Sequence, residues 1–220
     1  MTAPPPRPEL QATTVYLARH GQSEWNNRSR ITGQLNPGLS AKGLLQSHAL
    51  SQVLSGLKLD AIYTSALLRT RETAWPTAQA LALEMVALPD LNEIHLGVLQ
   101  GRYRDERDPQ AQELWKTWQA DIWNRRVPGG ESYGELTERA TAALRVVMRR
   151  HAGQSMLLVG HHATNRVLLG TLLDWPQERW TEIRLPNKFF YRIRTGAPAD
   201  VSTCALQGSK CGVWQPGLIM

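Results

Sequence analysis

Short apolar runs alternate with stretches of helical periodicity along most of this 220-residue chain. Val15-Tyr16-Leu17-Ala18 has the brevity and the β-branched and aromatic content of a buried strand. Residues 60–64, 84–88 and, most clearly, 155–159 share that character. Between these runs, apolar positions at helical spacing predict a helix from a cap at Ser40 to Gly56 and a second from a cap at Ser65 to about residue 83, kinked at Pro76. Further helices are predicted over 108–123, from Ser132 through Arg150, and over 164–173. Residues 189–194 and 201–206, separated by Gly196, Pro198 and Asp200, read as a terminal hairpin. Strands alternating with helices predict an α/β fold: three layers, α/β/α, around a mostly parallel central sheet.

Two polar connections interrupt this rhythm. Residues 19–40 carry Asn26, Arg30, Thr32, Gly33, Asn36, Pro37 and Gly38, and loops of that length in compact domains are mostly functional or disordered. Residues 91–101 form a second, glycine-punctuated loop. With 42% apolar residues the chain can bury a core of its own, and we read residues 13–220 as a single domain. The proline-rich residues 1–12 lack the apolar centre of a signal peptide and read as a flexible tail. No apolar run approaches the roughly 20 residues of a membrane span, so the expected location is the cytoplasm, with no membrane partner. Two cysteines, Cys204 and Cys211, make neither a disulfide scaffold nor a Cys-rich zinc site. The formal charge of +6 raises nucleic acid as a partner, but acids are interleaved with the bases, as in Arg102-Tyr103-Arg104-Asp105-Glu106-Arg107. A small anionic substrate is the better use of such dispersed charge. A homodimer stays open as the assembly.

The first strand ends in Arg19-His20-Gly21, and open α/β sheets place their ligands at the carboxyl ends of strands. A histidine there can be a phosphate-accepting nucleophile, a general base, a metal ligand or a hydrogen-bonded structural residue. Arg19 beside it disfavours a metal cation and favours an anion. The pattern returns at the fourth strand, which ends in Gly160-His161-His162. Arg69 and Glu93 lie in a helix start and a loop that can converge on the same edge. His48, His95 and His151 read as ordinary, His151 ending a helix where a cation is favoured. Trp115, Trp118 and Trp123 read as core, with an apolar lid over the site as the alternative.

In order and separation these segments resemble the histidine phosphatase superfamily, also called the phosphoglycerate mutase-like family. The opening Arg-His-Gly followed by an asparagine is similar to Arg19-His20-Gly21 and Asn26. The next signature resembles Arg30, Gly33 and the run from Pro37 to Gly43. The Ser-x-x-x-Arg-x-x-x-Thr-Ala segment looks like Ser65 to Ala74 and places Arg69. Leu91-Asn92-Glu93 with Gly97 and Gly101 resembles the acid-bearing loop, and Val159-Gly160-His161 the second-histidine strand end. The likeness covers residue 13 to about residue 194.

The resemblance implies a phosphoglycerate mutase-like fold and phosphoryl transfer without metal or other cofactor. His20 is then the nucleophile, one ring nitrogen tied to a backbone carbonyl and the other bare, forming a phosphohistidine that water hydrolyses. Arg19, Arg69 and a protonated His161 hold the phosphoryl oxygens. Glu93 gives a proton to the leaving oxygen, which requires a protonated carboxyl through a raised pKa or an acidic optimum. The substrate-binding set is Asn26, Arg30, Thr32, Gly33, Gln34 and His162, the last also the rival of His161. Glu131 reads either as pocket-lining or as stabilising a helix dipole. Residues 161–166 are also similar to the bisphosphatase half of the fructose bisphosphate regulatory enzymes, by which Arg166 or Arg30 reads a second anionic group; either is equally a solvent-facing cation. Mutases of the family carry a longer insertion after the acid-bearing loop, whereas the interval from Glu93 to Pro128-Gly129-Gly130 is short here. That favours a phosphatase acting on a small phosphorylated metabolite, with phosphoglycerate mutase as the alternative.

Overall fold

The computed structural model describes residues 12–196, 198, 199–207 and 210–218. The expected proline-rich tail therefore lies outside the described residues except for Ala12. Strands β1 (Thr14–Arg19), β2 (Ala61–Ser65), β3 (Met85–Leu88) and β4 (Ser155–Gly160) are mutually parallel, in the spatial order β3-β2-β4-β1. The sheet continues antiparallel from β1 into the expected hairpin, β5 (Phe189–Arg194) and β6 (Asp200–Gln207). Two further short strands, β7 (Lys210–Cys211) and β8 (Gln215–Pro216), both pair with β6. Their length is below what residue pattern can signal.

Side chains alternate across the sheet, and this builds the three layers. Val15, Leu17, Met156 and Leu158 face one way, into a core with Leu136, Ala140 and Leu144 of α4 (Tyr133–Arg150) and Val167 and Leu168 of α5 (His162–Leu172). Tyr16, Ala18, Leu157 and Val159 face the other, against Leu50 and Leu54 of α1 (Ala41–Leu54) and Ala74 and Ala78 of α2 (Leu68–Leu81). Each fully buried Leu or Val contributes about 1.5–3 kcal/mol, so a one-residue slip of β1 would forfeit both cores together. A reciprocal capping box between Ser132 and Glu135 starts α4 where the sequence places it.

Several boundaries differ from expectation, each for a local reason. Ser65 ends β2 rather than capping a helix; α2 begins at Leu68, whose N–H is taken by Asn36 Oδ1 at 2.6 Å from the long loop. Pro76 lies inside α2, as the sequence predicts. Proline at that position orphans the Glu72 carbonyl, and Ser47 Oγ of α1 donates to it at 3.0 Å. The helix expected over 108–123 is α3 (Pro109–Gln119), capped by Asp108 and ended before Trp123, which packs edge-on against Tyr133 and Trp180. Helix α5 starts two residues earlier than read, with His161 as its N-cap.

Candidate active site

The register of the sheet sets the two strand-end histidines side by side. Arg19 pairs with Gly160, and the His20 N–H donates to the Gly160 carbonyl at 2.9 Å, so His20 and His161 leave adjacent parallel strands at one edge. Their rings lie 5.3 Å apart, tilted by 58°. The chain then turns against α1 with no room for side chains: a Cβ on Gly21 would sit 2.6 Å from the Gly43 carbonyl oxygen, and one on Gly43 2.1 Å from that of Gln22. Glycine at both positions is what lets the turn close. It leaves His20 Nδ1 2.7 Å from the Gly21 carbonyl, which fixes Nδ1 as the protonated nitrogen and Nε2 as the bare one. Burial, reinforced by Arg69 and Arg19, holds the His20 pKa well below 6.5, so the ring is neutral.

His161 is wholly buried, with Nε2 2.7 Å from Ser65 Oγ and Nδ1 without a partner. Ser65 Oγ also accepts the Leu67 N–H at 3.1 Å and lies 2.8 Å from Thr70 Oγ1. Here an expectation fails. Burial first, then Arg69, His20 and Arg19, holds the His161 pKa well below 6.5, so this ring is neutral rather than protonated. Arg69 is 1% exposed, and its fork is seated on the carbonyls of Leu35 and Gly33 at 2.8 Å each. Gly33 can present that carbonyl because it sits at φ +50°, where a Cβ would meet Gln100 Oε1 at 2.2 Å. Desolvation lowers Arg69 to about 10, leaving it charged at neutral pH. Arg19 donates Nη1 to the Leu185 carbonyl at 3.0 Å. The Nε atoms of both arginines are buried without partners.

Glu93 reaches this edge from a loop stitched between two elements. Its carboxylate accepts the N–H groups of His162, Ala163 and Thr164 at 3.0–3.3 Å, capping α5 in place of a local residue. Two groups fix its backbone, Gln34 Nε2 donating to its carbonyl at 2.9 Å and Arg139 of α4 at 3.2 Å, and next to it Asn92 Oδ1 accepts the Ala66 N–H at 2.9 Å. Arg139 also donates to the carbonyls of Asp90 and Asn92 and is held by the Glu131 carboxylate. Glu131 thus orients the arginine that anchors the acid-bearing loop. Neither of the two readings of Glu131 from sequence anticipated that, because Arg139 sits on a helix face with no motif around it.

A cavity of about 620 Å³ opens over these groups. Arg19, His20, Asn26, Arg30, Thr32, Gly33, Arg69, Glu93 and His162 all line it, as the sequence suggested. His161 lies behind the wall, beside His20, and Gln34 is not on the wall: its amide is engaged with Glu93 and its N–H with Gln100 Oε1. Arg30 is stacked 4.3 Å from the Trp25 ring and 5.5 Å from that of Tyr103. His162 is pushed down to about 3 by burial and by Arg19 and Arg166, so it too is neutral. Trp115 and Trp118 face the cavity with Ile122 and Tyr133, which makes the tryptophans core and wall at once. Arg104, Gln119 and Thr181 also line it; they stand in turns and helix ends where neither periodicity nor motif marks them.

Chemically, a bare neutral imidazole nitrogen in one cavity with the Arg19 and Arg69 guanidinium groups and the Glu93 carboxylate suits attack on an anionic phosphorus centre. The chain is also similar to known proteins over most of its length. A protein of Serratia proteamaculans (strain 568) named "Probable phosphoglycerate mutase GpmB" is 37% identical over 180 residues, which is 81% of this chain and 83% of that protein. Bacillus stearothermophilus YhfR superposes with a TM-score of 0.74 at 26% identity, covering 95% of this chain and 98% of that one. A mycobacterial glucosyl-3-phosphoglycerate phosphatase superposes with a TM-score of 0.72 at 25% identity, covering 94% and 98%. The model of the histidine phosphatase superfamily (branch 1) matches residues 15–199, and with the relatives above it shows that this chain belongs to that superfamily.

Proposed function

We propose that the protein is a metal-independent phosphomonoester hydrolase whose single domain, residues 13–220, passes the phosphoryl group through His20. The observation that carries this is the 2.7 Å contact of Nδ1 with the Gly21 carbonyl, which leaves Nε2 bare beside Arg19 and Arg69. The P–N bond to Nε2 forms as the ester P–O bond breaks, and the leaving oxygen takes a proton through Glu93, whose carboxylate first receives the proton carried in by the monoanionic phosphate ester. Water then attacks phosphorus, its proton returns to Glu93, and His20 is freed. Arg19 and Arg69 hold the phosphoryl oxygens throughout, the charge-neutralising role that a metal ion plays elsewhere. The neutral His161 supplies a hydrogen bond from Nδ1 when Ser65 donates to its Nε2. The substrate is a small anionic metabolite such as a sugar phosphate or a phosphoglycerate-like compound, met in the cytoplasm; the solved relative named for glucosyl-3-phosphoglycerate supports that class.

The name of the Serratia relative favours a second reading, phosphoglycerate mutase. A mutase must keep its phosphohistidine dry, whereas a hydrolase admits water. A phosphomonoester panel with and without a chelator, alongside His20→Ala, separates the readings. Phosphate release that survives chelation and is lost in His20→Ala is the expected result. Conversion of 3-phosphoglycerate to 2-phosphoglycerate with little phosphate release would make the protein a mutase, and undiminished turnover by His20→Ala would remove His20 from the chemistry.

A further inference from the structure

Gln34 belongs by sequence to the expected substrate-binding set, yet neither it nor Gln100 lines the cavity. Both residues instead join two loops. Residues 33–35 carry the two seats of Arg69, the carbonyls of Gly33 and Leu35. Between those seats Gln34 faces the acid-bearing loop: its N–H donates to Gln100 Oε1 at 2.7 Å, and its Nε2 donates to the Glu93 carbonyl at 2.9 Å. Gln100 Oε1 also accepts the Leu96 N–H at 3.4 Å, and the Gln100 N–H donates to the Gly97 carbonyl at 3.1 Å. Two glutamines thereby tie the turn beneath the Arg69 guanidinium to the loop that carries Glu93.

The tie spans sequence separations of 59 and 66 residues, so nothing in the covalent chain imposes it. A second set of bonds runs beside it. The Gly101 N–H donates to the Ile31 carbonyl at 2.7 Å, and the Ile31 N–H donates to the Arg102 carbonyl at 2.9 Å. These set the two loops in register but reach neither Arg69 nor Glu93. The glutamine bonds reach the segments that bear both. Placement of this kind matters to rate, because a proton donor works only within hydrogen-bond reach, and a misplacement of about 1 Å can cost about 10²-fold.

We propose that Gln34 and Gln100 are positioning residues for the reaction: they hold the Glu93 proton donor in a fixed place relative to the Arg69 clamp, and neither touches substrate. This rests on the hydrolase reading above. The two contributions are separable. Replacing the Gln34 side chain removes the donor to the Glu93 carbonyl and keeps the N–H bond to Gln100, so it loosens Glu93 and spares the turn beneath Arg69. Replacing Gln100 releases that turn, so it disturbs the clamp and the acid together.

Two esters read this: 4-nitrophenyl phosphate, whose phenolate leaves without a proton, and benzyl phosphate, whose alkoxide needs one. In Gln34→Leu the ratio of kcat/KM for 4-nitrophenyl phosphate to that for benzyl phosphate rises about tenfold, part of the roughly 10²–10⁴-fold that a placed proton donor supplies. The inhibition constant of inorganic phosphate, the probe of the clamp, stays the same in that variant. Gln100→Leu cannot accept the Gln34 N–H; it slows both esters and weakens phosphate inhibition severalfold, and Gln100→Glu, which keeps an acceptor there, recovers most of the rate. Gln34→Leu, at a half-buried side chain outside the cavity, gives its answer whether or not Gln100→Leu folds. A glutamine that only supports the fold lowers stability without moving the ester ratio. An unchanged ratio in Gln34→Leu, or weakened phosphate inhibition there as for a residue that binds substrate, overturns the proposal while leaving hydrolysis intact. Phosphate release from neither ester by the unmodified protein overturns the hydrolase reading, and the positioning role with it.

Discussion

His20 keeps its reactive nitrogen bare because the other is tied to the Gly21 carbonyl, and His161 is held by a serine in a comparable way. Ser65→Ala removes the partner of His161 Nε2 and also leaves the buried Leu67 N–H without its acceptor. The expected result is a fall in kcat larger than any change in KM, with a stability loss of about 1–3 kcal/mol by urea unfolding, partly recovered in Ser65→Thr. Equal kcat in Ser65→Ala would show that His161 needs no orientation. The histidines also set a pH dependence. His20, His161 and His162 are all held below 6.5 in the folded protein, so below that pH the unfolded chain binds protons that the folded one does not. Stability is therefore fully present above about pH 6.5 and declines as pH falls, by up to about 1.4 kcal/mol per pH unit for each histidine. Urea unfolding at about pH 7.5, 6.5 and 5 reads this; constant stability across that range would contradict it. Arg19, His20, Arg69, Glu93 and the histidine pair could all be read from the sequence, because each sits in a short run of unusual residue types. The protonation of His161 could not, since it depends on burial and on arginines distant in sequence.

Among the elements, the contact between the His20 turn and α1 is a tight constraint on the site. Gly43→Ala places a methyl group about 2.1 Å from the Gln22 carbonyl oxygen, so the turn must shift and carry His20 with it. Overpacking of this kind costs about 1–3 kcal/mol, and the expected outcome is lost activity together with lowered stability. Ser132→Ala makes the contrast: it breaks the capping box of α4, costs about 1 kcal/mol, and leaves kcat unchanged. Circular dichroism melts and initial rates on both variants check the pair, and Gly43→Ala with full activity would uncouple α1 from the turn. The strands and long helices were legible because alternation and 3.6-residue spacing survive in β1, β4 and α4. The α2 cap was not, because its acceptor, Asn36 Oδ1, comes from another segment; the passage of α2 through Pro76 was legible, but not the Ser47 hydroxyl of α1 that donates to the carbonyl freed there.

Over the whole molecule, order along the chain carries more information than any one motif. Residues 19–20, 69, 93 and 161 meet at one sheet edge because four parallel strands end there, and an α/β pattern foretells that convergence. What the pattern could not foretell is how the acid loop is held. Arg139 and Gln34 grip the Glu93 backbone from α4 and from the long loop, and the α5 N-terminus grips its carboxylate. The excess of lysine and arginine over acids was legible too, but its gathering around one cavity is a property of the fold. The central claim remains the phosphoenzyme. Rapid mixing with a phosphomonoester turned over by the protein, a base quench that preserves phosphohistidine, and peptide mass spectrometry test it directly. One phosphoryl group on the His20 peptide, absent in His20→Ala, is the predicted result; a phosphoryl group on any other residue, or none during active turnover, would contradict it.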